Sequence, residues 1–153
     1  MYGPQYLSAG ALITSSELTL TLPRKEKFRL FAPRSDEIDL YWETAAPLIK
    51  KALDRGSNYT LEDIYEGLKA SEMQLWMWGS EAALVTTIQN RDGLRWCLFL
   101  ALGGEKLDEW AEYLPLVEEW ARSNGCDEMR IYGRAGWKKL GFDVVYTKLV
   151  RKL

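Results

Sequence analysis

The sequence predicts a mixed α/β (α+β) domain, a mostly antiparallel central sheet flanked by helices, preceded by an extended arm. Three observations predict it. Between Met73 and Leu102 lie three apolar, β-prone segments separated by tight-turn signals, the pattern of an antiparallel meander. Before them come two stretches whose apolar residues recur at helical spacing behind helix-start chemistry. From Leu94 onward the chain alternates strand, glycine turn, helix, strand, short helix and strand, which is how a sheet acquires covering layers. At 153 residues the chain is one folding unit by length, able to bury roughly 70% of its unfolded surface. We divide it into an extended arm, 1–34, and a single domain, 35–153.

The arm contains Gly3, Pro4, Gly10, Pro23 and Pro33, which break regular structure. Leu18, Thr19, Leu20, Thr21 and Leu22 alternate apolar and polar as one face of a strand does. Residues 23–29, with Arg24 and Lys25, are locally basic. Such an arm can add a strand to its own sheet or to a neighbour's. Ser35, Asp36 and Glu37 open a helix by placing acids over the positive end of its dipole. Ile38, Tyr41, Trp42, Ala45, Leu48, Ile49 and Ala52 then form its apolar stripe, and Gly56 ends it. Pro47 falls inside this stripe and is expected to kink or divide the helix. Thr60 as N-cap, answered by Asp63 three residues on, starts a second helix with Leu61, Ile64, Tyr65 and Leu68 on its apolar face.

Residues 73–78 read as a strand, Gly79 and Ser80 as a turn, residues 82–88 as the hairpin partner and residues 90–93 as the next turn. The continuous apolar run 94–102 completes the meander. Gly103 and Gly104 form a strand-end turn before a helix spanning about 107–124, in which Pro115 bends the helix or starts its second half. A short strand, 129–132, leads to a glycine-rich stretch, a short helix and a closing β-branched strand, 143–150. Trp42, Trp76, Trp78, Trp110 and Trp120 fall on element faces and are expected in the core.

Several function classes are excluded by composition. The chain has no histidine, which removes Ser-His-Asp and Cys-His catalysis and histidine metal sites. Cys97 and Cys126 form no C-x-x-C pair and read as reduced, partly buried thiols. No carboxylate pattern suits a cation site, so no metal is expected. No run reaches the about 18 apolar residues of a membrane span. The start of the chain lacks the charged and apolar regions of a secretory signal. Formal net charge is −2, which gives no overall pull toward nucleic acid. Charge is segregated, however. Residues 103–128 carry eight acids and two bases, residues 129–153 one acid and seven bases, so the two segments are expected to face each other. The basic tail reads as a lysine-guarded strand edge rather than a nucleic-acid patch.

The last third of the chain resembles a known family. Trp120, Ala121, Gly125 and Cys126 in a W-A-x-x-x-G-C pattern, followed by Lys139, Leu140, Gly141 and Phe142, resemble the C-terminal half of the GNAT acetyltransferase fold. The order of elements from Ile38 onward is similar to that fold as well. In the family, a glycine-rich loop after the fourth strand holds the pyrophosphate of acetyl-CoA. The matching place here is Leu102, Gly103, Gly104 and Lys106, where Glu105, Asp108 and Glu109 oppose the single cation Lys106. A tyrosine often found four residues before the G-F turn, the acid for the departing thiolate, is replaced by Trp137, whose indole N–H does not titrate usefully.

With the Gly133–Arg134–Ala135–Gly136–Trp137 stretch, the chain resembles small GNAT-like proteins of tailed bacteriophages, some of them virion components. That resemblance implies a non-enzymatic protein that binds other proteins, phage structural proteins or itself, through Arg134, Trp137, Leu18, Leu20, Arg24 and Lys25. It would then need no cofactor and no catalytic residue. It would reside in the cytoplasm of a host cell or within a phage particle. The alternative is an N-acetyltransferase in which Leu102, Gly103, Gly104 and Lys106 hold acetyl-CoA through a divergent loop.

Overall fold

The computed structural model describes residues 6–8, 11–12, 30–55, 57–105, 110–132, 141–143 and 150–153. Leu18, Leu20, Arg24, Lys25, Gly56, Lys106, Arg134, Trp137 and most of the expected closing strand lie outside the described residues. Two short strands, β1 (Tyr6–Ser8) and β2 (Ala11–Leu12), pair antiparallel with each other, and β1 lies against the helix at Leu114–Ser123. The central sheet has five strands in the order β3-β4-β5-β6-β7. These are β3 (Leu30–Phe31), β4 (Gln74–Trp78), β5 (Ala82–Arg91), β6 (Leu94–Gly104) and β7 (Glu128–Ile131). All neighbours are antiparallel except β6 and β7, giving the mixed α/β class. The strand at Leu30–Phe31 joins β4 edge to edge, with Leu30 opposite Trp78 and Phe31 opposite Met77.

Helix α1 (Ile38–Leu53) follows a 3-10 turn at Ser35–Glu37. The Glu37 carboxylate accepts from the Arg34 amide at 2.9 Å, which ties down one of the free N–H groups at the helix start. Of the kink or division expected at Pro47, the division does not occur, since the helix runs as one element across it. Pro47 forfeits the bond to the carbonyl of Glu43, but both residues are exposed, so water can satisfy that carbonyl. Meanwhile Ile38, Ala45, Ile49 and Leu53 are buried along one stripe and hold both halves on the sheet. Helix α2 (Leu61–Lys69) starts as expected. Asp63 donates its amide to Thr60 Oγ1 at 3.1 Å, and Thr60 donates its amide to Asp63 Oδ2 at 2.9 Å. Asp39 fastens the start of α1 to the end of α2, accepting from Lys69 Nζ and Tyr65 Oη, each at 2.6 Å.

The meander forms as read, with longer strands than the sequence suggested. The turn between β5 and β6 is only Asp92 and Gly93, with φ of 51° and 82°. Positive φ at both central positions makes a tight hairpin turn whose twist suits the strands. Gly103 and Gly104 are the last residues of β6 opposite Ala83 and Ala82, so they extend the strand and do not turn it. After a 3-10 turn at Ala111–Tyr113, helix α3 (Leu114–Ser123) carries Pro115 in its first turn, where the missing N–H costs nothing.

Two cores sandwich the sheet. On one face α1 and α2 cover Leu75, Met77, Ala83, Val85 and Ala101. On the other α3 covers Trp76, Trp78, Leu84, Cys97, Phe99 and Leu102. Trp76, Trp78, Trp110 and Trp120 are fully buried, as expected. Trp42 is only half-buried, tilted against Tyr65 at 5.2 Å between centroids. Trp76 meets Trp120 edge to face at 5.2 Å, a favoured aromatic geometry. Its Nε1 donates to Thr86 Oγ1, which donates to Gln74 Oε1, both at 2.9 Å. Gln74 and Thr86 are thus buried with their polar groups bonded.

Thr86→Val keeps the shape but strands the Trp76 N–H and the Gln74 carbonyl. We expect a loss of about 2 kcal/mol in chemical denaturation, and an unchanged midpoint would show that the relay is not needed. Burial raises the Cys97 thiol pKa, with nearby Cys126 adding to it and Thr86 opposing; burial also raises Cys126, against Arg95. Raised values mean less thiolate at pH 8 than a free cysteine has, so alkylation should be slow, with half-buried Cys126 reacting before Cys97. Rapid labelling of Cys97 in the folded protein would contradict this.

Candidate ligand-binding site

The site is set where β6 and β7 part. Their parallel register runs from Trp96 opposite Glu128 to Phe99 opposite Ile131, and β7 ends there. β6 continues through residues 100–104 with no partner on that edge among the described residues. At the same point the β5–β6 register slips. Val85 faces Ala101 but Thr86 faces Phe99, which leaves Leu100 as a bulge. A bulge bends its strand and sharpens the twist, and this one falls where the pairing of β6 with β7 stops. The opened edge presents backbone N–H and C=O groups that an extended ligand containing amides can pair with. Tyr132, the first residue past β7, is 61% exposed at the mouth of this split.

The family resemblance implies cofactor contacts at Leu102, Gly103, Gly104 and Lys106 under the acetyltransferase alternative. The structure brings the first three together at the end of β6, and Lys106 lies outside the described residues. Both glycines are required by packing. A Cβ on Gly103 would come 2.0 Å from the Leu48 carbonyl oxygen of α1. Gly104, at φ 131°, would place a Cβ 2.1 Å from the Glu81 carbonyl oxygen. The Glu105 amide donates to that same oxygen at 2.9 Å. It is therefore not free to hold a phosphate.

What the sequence reading missed is the other wall. A small cleft of about 60 Å³ is lined by Lys51, Ala52 and Arg55 of α1's end together with Leu102, Gly103 and Gly104. Lys51 and Arg55 are exposed, one helical turn apart, and pair with no carboxylate among the described residues. Counting charge along the chain set Lys106 alone against three acids. Across the fold, two further cations, Lys51 in α1 and Arg55 just past its end, stand beside the glycines. Their i, i+4 spacing was the available signal, but it reads equally as cations over a helix C-terminus. A wider groove of about 740 Å³ runs beside α2 past Asp63, Glu66 and Glu72, and it adjoins the start of β4, two strands from β6. Among the described residues no cluster of three His, Cys, Asp or Glu could hold a metal, and no helix is long and apolar enough to cross a membrane.

No family model matches the sequence, and no curated protein does. Solved structures are similar over most of the chain. An aminoglycoside 6'-N-acetyltransferase from Acinetobacter haemolyticus superposes with a TM-score of 0.60 at 11% identity, covering 81% of this chain and 97% of that one. Glucosamine-6-phosphate N-acetyltransferase from Arabidopsis thaliana gives 0.56 at 11% identity, over 83% and 99%. An acetyltransferase from Trypanosoma brucei gives 0.52 at 14% identity, over 83% and 100%. Likeness at such low identity speaks to architecture alone, and it matches what the strand order and flanking helices already indicate: the chain has the GNAT-like fold of the N-acetyltransferases.

Proposed function

We propose that the open edge of β6 binds the pantetheine arm of acetyl-CoA and that the protein transfers the acetyl group to an amine. One observation carries this reading: the bulge at Leu100 falls where β6–β7 pairing ends, which opens a strand edge without dismantling the sheet. Pantetheine is an extended chain with two amide groups, so it can pair with such an edge as an added strand does. In the reaction the amine nitrogen bonds to the thioester carbonyl carbon, the C–S bond breaks and the thiolate leaves. Backbone N–H groups at the bulge are suited to the oxyanion that forms on the way. The chain lacks histidine, so the amine proton passes to a water or a carboxylate. The Tyr132 hydroxyl at the mouth is the proton donor we assign to the departing thiolate.

A second reading, a non-enzymatic protein that binds other proteins, for instance in a phage particle, is favoured by the two glycines. Packing against Leu48 and Glu81 accounts for Gly103 and Gly104 without any ligand, and Glu105 spends its amide on Glu81. A melt and calorimetric titration with acetyl-CoA separates the two. At 100 times its Kd a ligand stabilises the fold by about 2.7 kcal/mol, which a melt detects readily. The enzymatic reading predicts that stabilisation together with release of free thiol when a panel of amines is supplied. No shift at millimolar acetyl-CoA would overturn it in favour of the protein-binding role. Tyr132→Phe is expected to lower kcat by about 100-fold while leaving the acetyl-CoA Kd unchanged, and an unaffected kcat would remove Tyr132 from the mechanism.

A further inference from the structure

We infer that Arg130 is a positioning residue for Tyr132, fixing the phenol at the mouth of the β6–β7 split and setting a cation beside it. The inference rests on the proposed acetyl transfer, in which Tyr132 gives its proton to the departing thiolate. Met129 and Ile131 of β7 pack into the α3 core. Arg130 between them therefore faces the opposite side of the sheet, and Tyr132 is the next residue in that alternation. On that side the guanidinium carbon lies 3.9 Å from the centre of the Trp96 ring, a close cation–π contact. Trp96 is itself held, only 7% exposed and donating from Nε1 to Gln89 Oε1, on its register partner in β5, at 3.0 Å. Arg130 Nε donates to the Glu128 carboxylate, and the guanidinium also hydrogen-bonds the Tyr132 side chain. A continuous tie thus runs from Gln89 through Trp96 and Arg130 to Tyr132, across three strands.

The donor count explains how one side chain serves both neighbours. A guanidinium carries five N–H donors in a rigid fork. Nε is spent on Glu128, which leaves the two terminal nitrogens for the Tyr132 hydroxyl. Glu128 foremost, with Tyr132 adding and desolvation opposing, raises the Arg130 pKa above its already high value, so the cation persists at any working pH. Tyr132 is 61% exposed, and an exposed ring has several rotamers open to it. A fixed donor is worth more to proton transfer than a wandering one. When the Tyr132 O–H bond breaks, its proton bonds to the sulfur of the leaving thiolate. The negative charge left on the phenolate oxygen then lies beside the guanidinium, where a preorganised cation stabilises it, and water returns the proton afterwards. Stacking on Trp96 and the pair with Glu128 alone would make Arg130 a brace for an edge strand. A brace and a positioning residue differ in whether their effect passes through Tyr132.

The experiment compares the full chain as wild type, Arg130→Met, Arg130→Lys, Tyr132→Phe and the double variant Arg130→Met with Tyr132→Phe. Methionine keeps an apolar stem over Trp96, and lysine keeps the charge without the fork. In NMR spectra of tyrosine-labelled protein, the Tyr132 ring signal is the one that Tyr132→Phe removes, and it should move in Arg130→Met. An unmoved signal would overturn the contact, whether or not the protein is an enzyme. With acetyl-CoA and an amine, Arg130→Met should lower kcat about tenfold at unchanged acetyl-CoA Kd, and Arg130→Lys should recover part of the loss. Because Arg130 acts through Tyr132, adding Arg130→Met to Tyr132→Phe should cost nothing further. An equal loss in both backgrounds would make Arg130 a brace and overturn the inference. Should Arg130→Met not fold, Arg130→Lys reads the same cycle, with a smaller loss that must also vanish beside Tyr132→Phe. An active wild type with undiminished Arg130 variants would overturn this role and leave acetyl transfer standing. A wild type that neither binds acetyl-CoA nor acetylates any amine would overturn acetyl transfer and this role with it.

Discussion

Ten residues of β5 face eleven of β6, and the surplus residue is Leu100. Side chains alternate along a strand, so one extra residue reverses which face every later side chain meets. Before the bulge Cys97 and Phe99 point to the α3 core; after it Ala101 joins the α1 core and Leu102 the α3 core. Gly103 therefore lies under α1, against the Leu48 carbonyl. In an unbulged strand the same residue would face α3, and the close approach of helix and strand would have no glycine to permit it. The bulge thus sets both halves of the candidate site, the open edge toward β7 and the glycine wall toward α1.

The two faces of the sheet divide the labour between rigidity and reach. The α3 face is built of large rings, Trp76, Trp78, Trp110, Tyr113 and Trp120, with Thr86 and Gln74 satisfied inside it. Such a core fixes the middle of β4, β5 and β6. The α1 face is aliphatic and thinner: Ala45, Ala83 and Ala101 let α1 sit low on the sheet. A low helix is what brings the backbone of Leu48 against Gly103 and carries Lys51 and Arg55 to the end of the strand. Asp39 holds the far end of α1 to α2, and the Lys69 and Tyr65 donors keep its carboxyl below its ordinary value. That exposed contact is fully present above the ordinary carboxylate value and is lost as pH falls below it, through the lowered one.

The open edge and the packed glycines pull the functional reading in opposite directions, and burial explains why both occur. A strand edge can be opened by one bulge at little cost, because the pairs on either side remain intact. A phosphate cradle needs several free amides at once, and here the Glu105 amide and both glycines already serve the hairpin and the helix contact.

Features governed by neighbours in the chain were legible in the sequence. The Thr60–Asp63 cap, the Asp92–Gly93 turn, the three apolar strands of the meander, and Pro115 at a helix start all follow from chemistry within four residues or so. The mixed sheet with flanking helices followed from their order. Features decided across the fold were not. Pro47 reads as a kink or a division, and α1 is not divided there, because burial of its stripe outweighs one lost hydrogen bond. Gly103 and Gly104 read as a turn, yet they are strand, because Ala82 and Ala83 pair with them. The bulge at Leu100 leaves no mark in a continuous apolar run, since apolar residues suit either face. Lys51 and Arg55 read as ordinary surface cations of a helix end. Only the packing of α1 on β6 sets them beside Gly103 and Gly104, because side-chain periodicity tells which face of an element is buried but not which distant residue it is buried against.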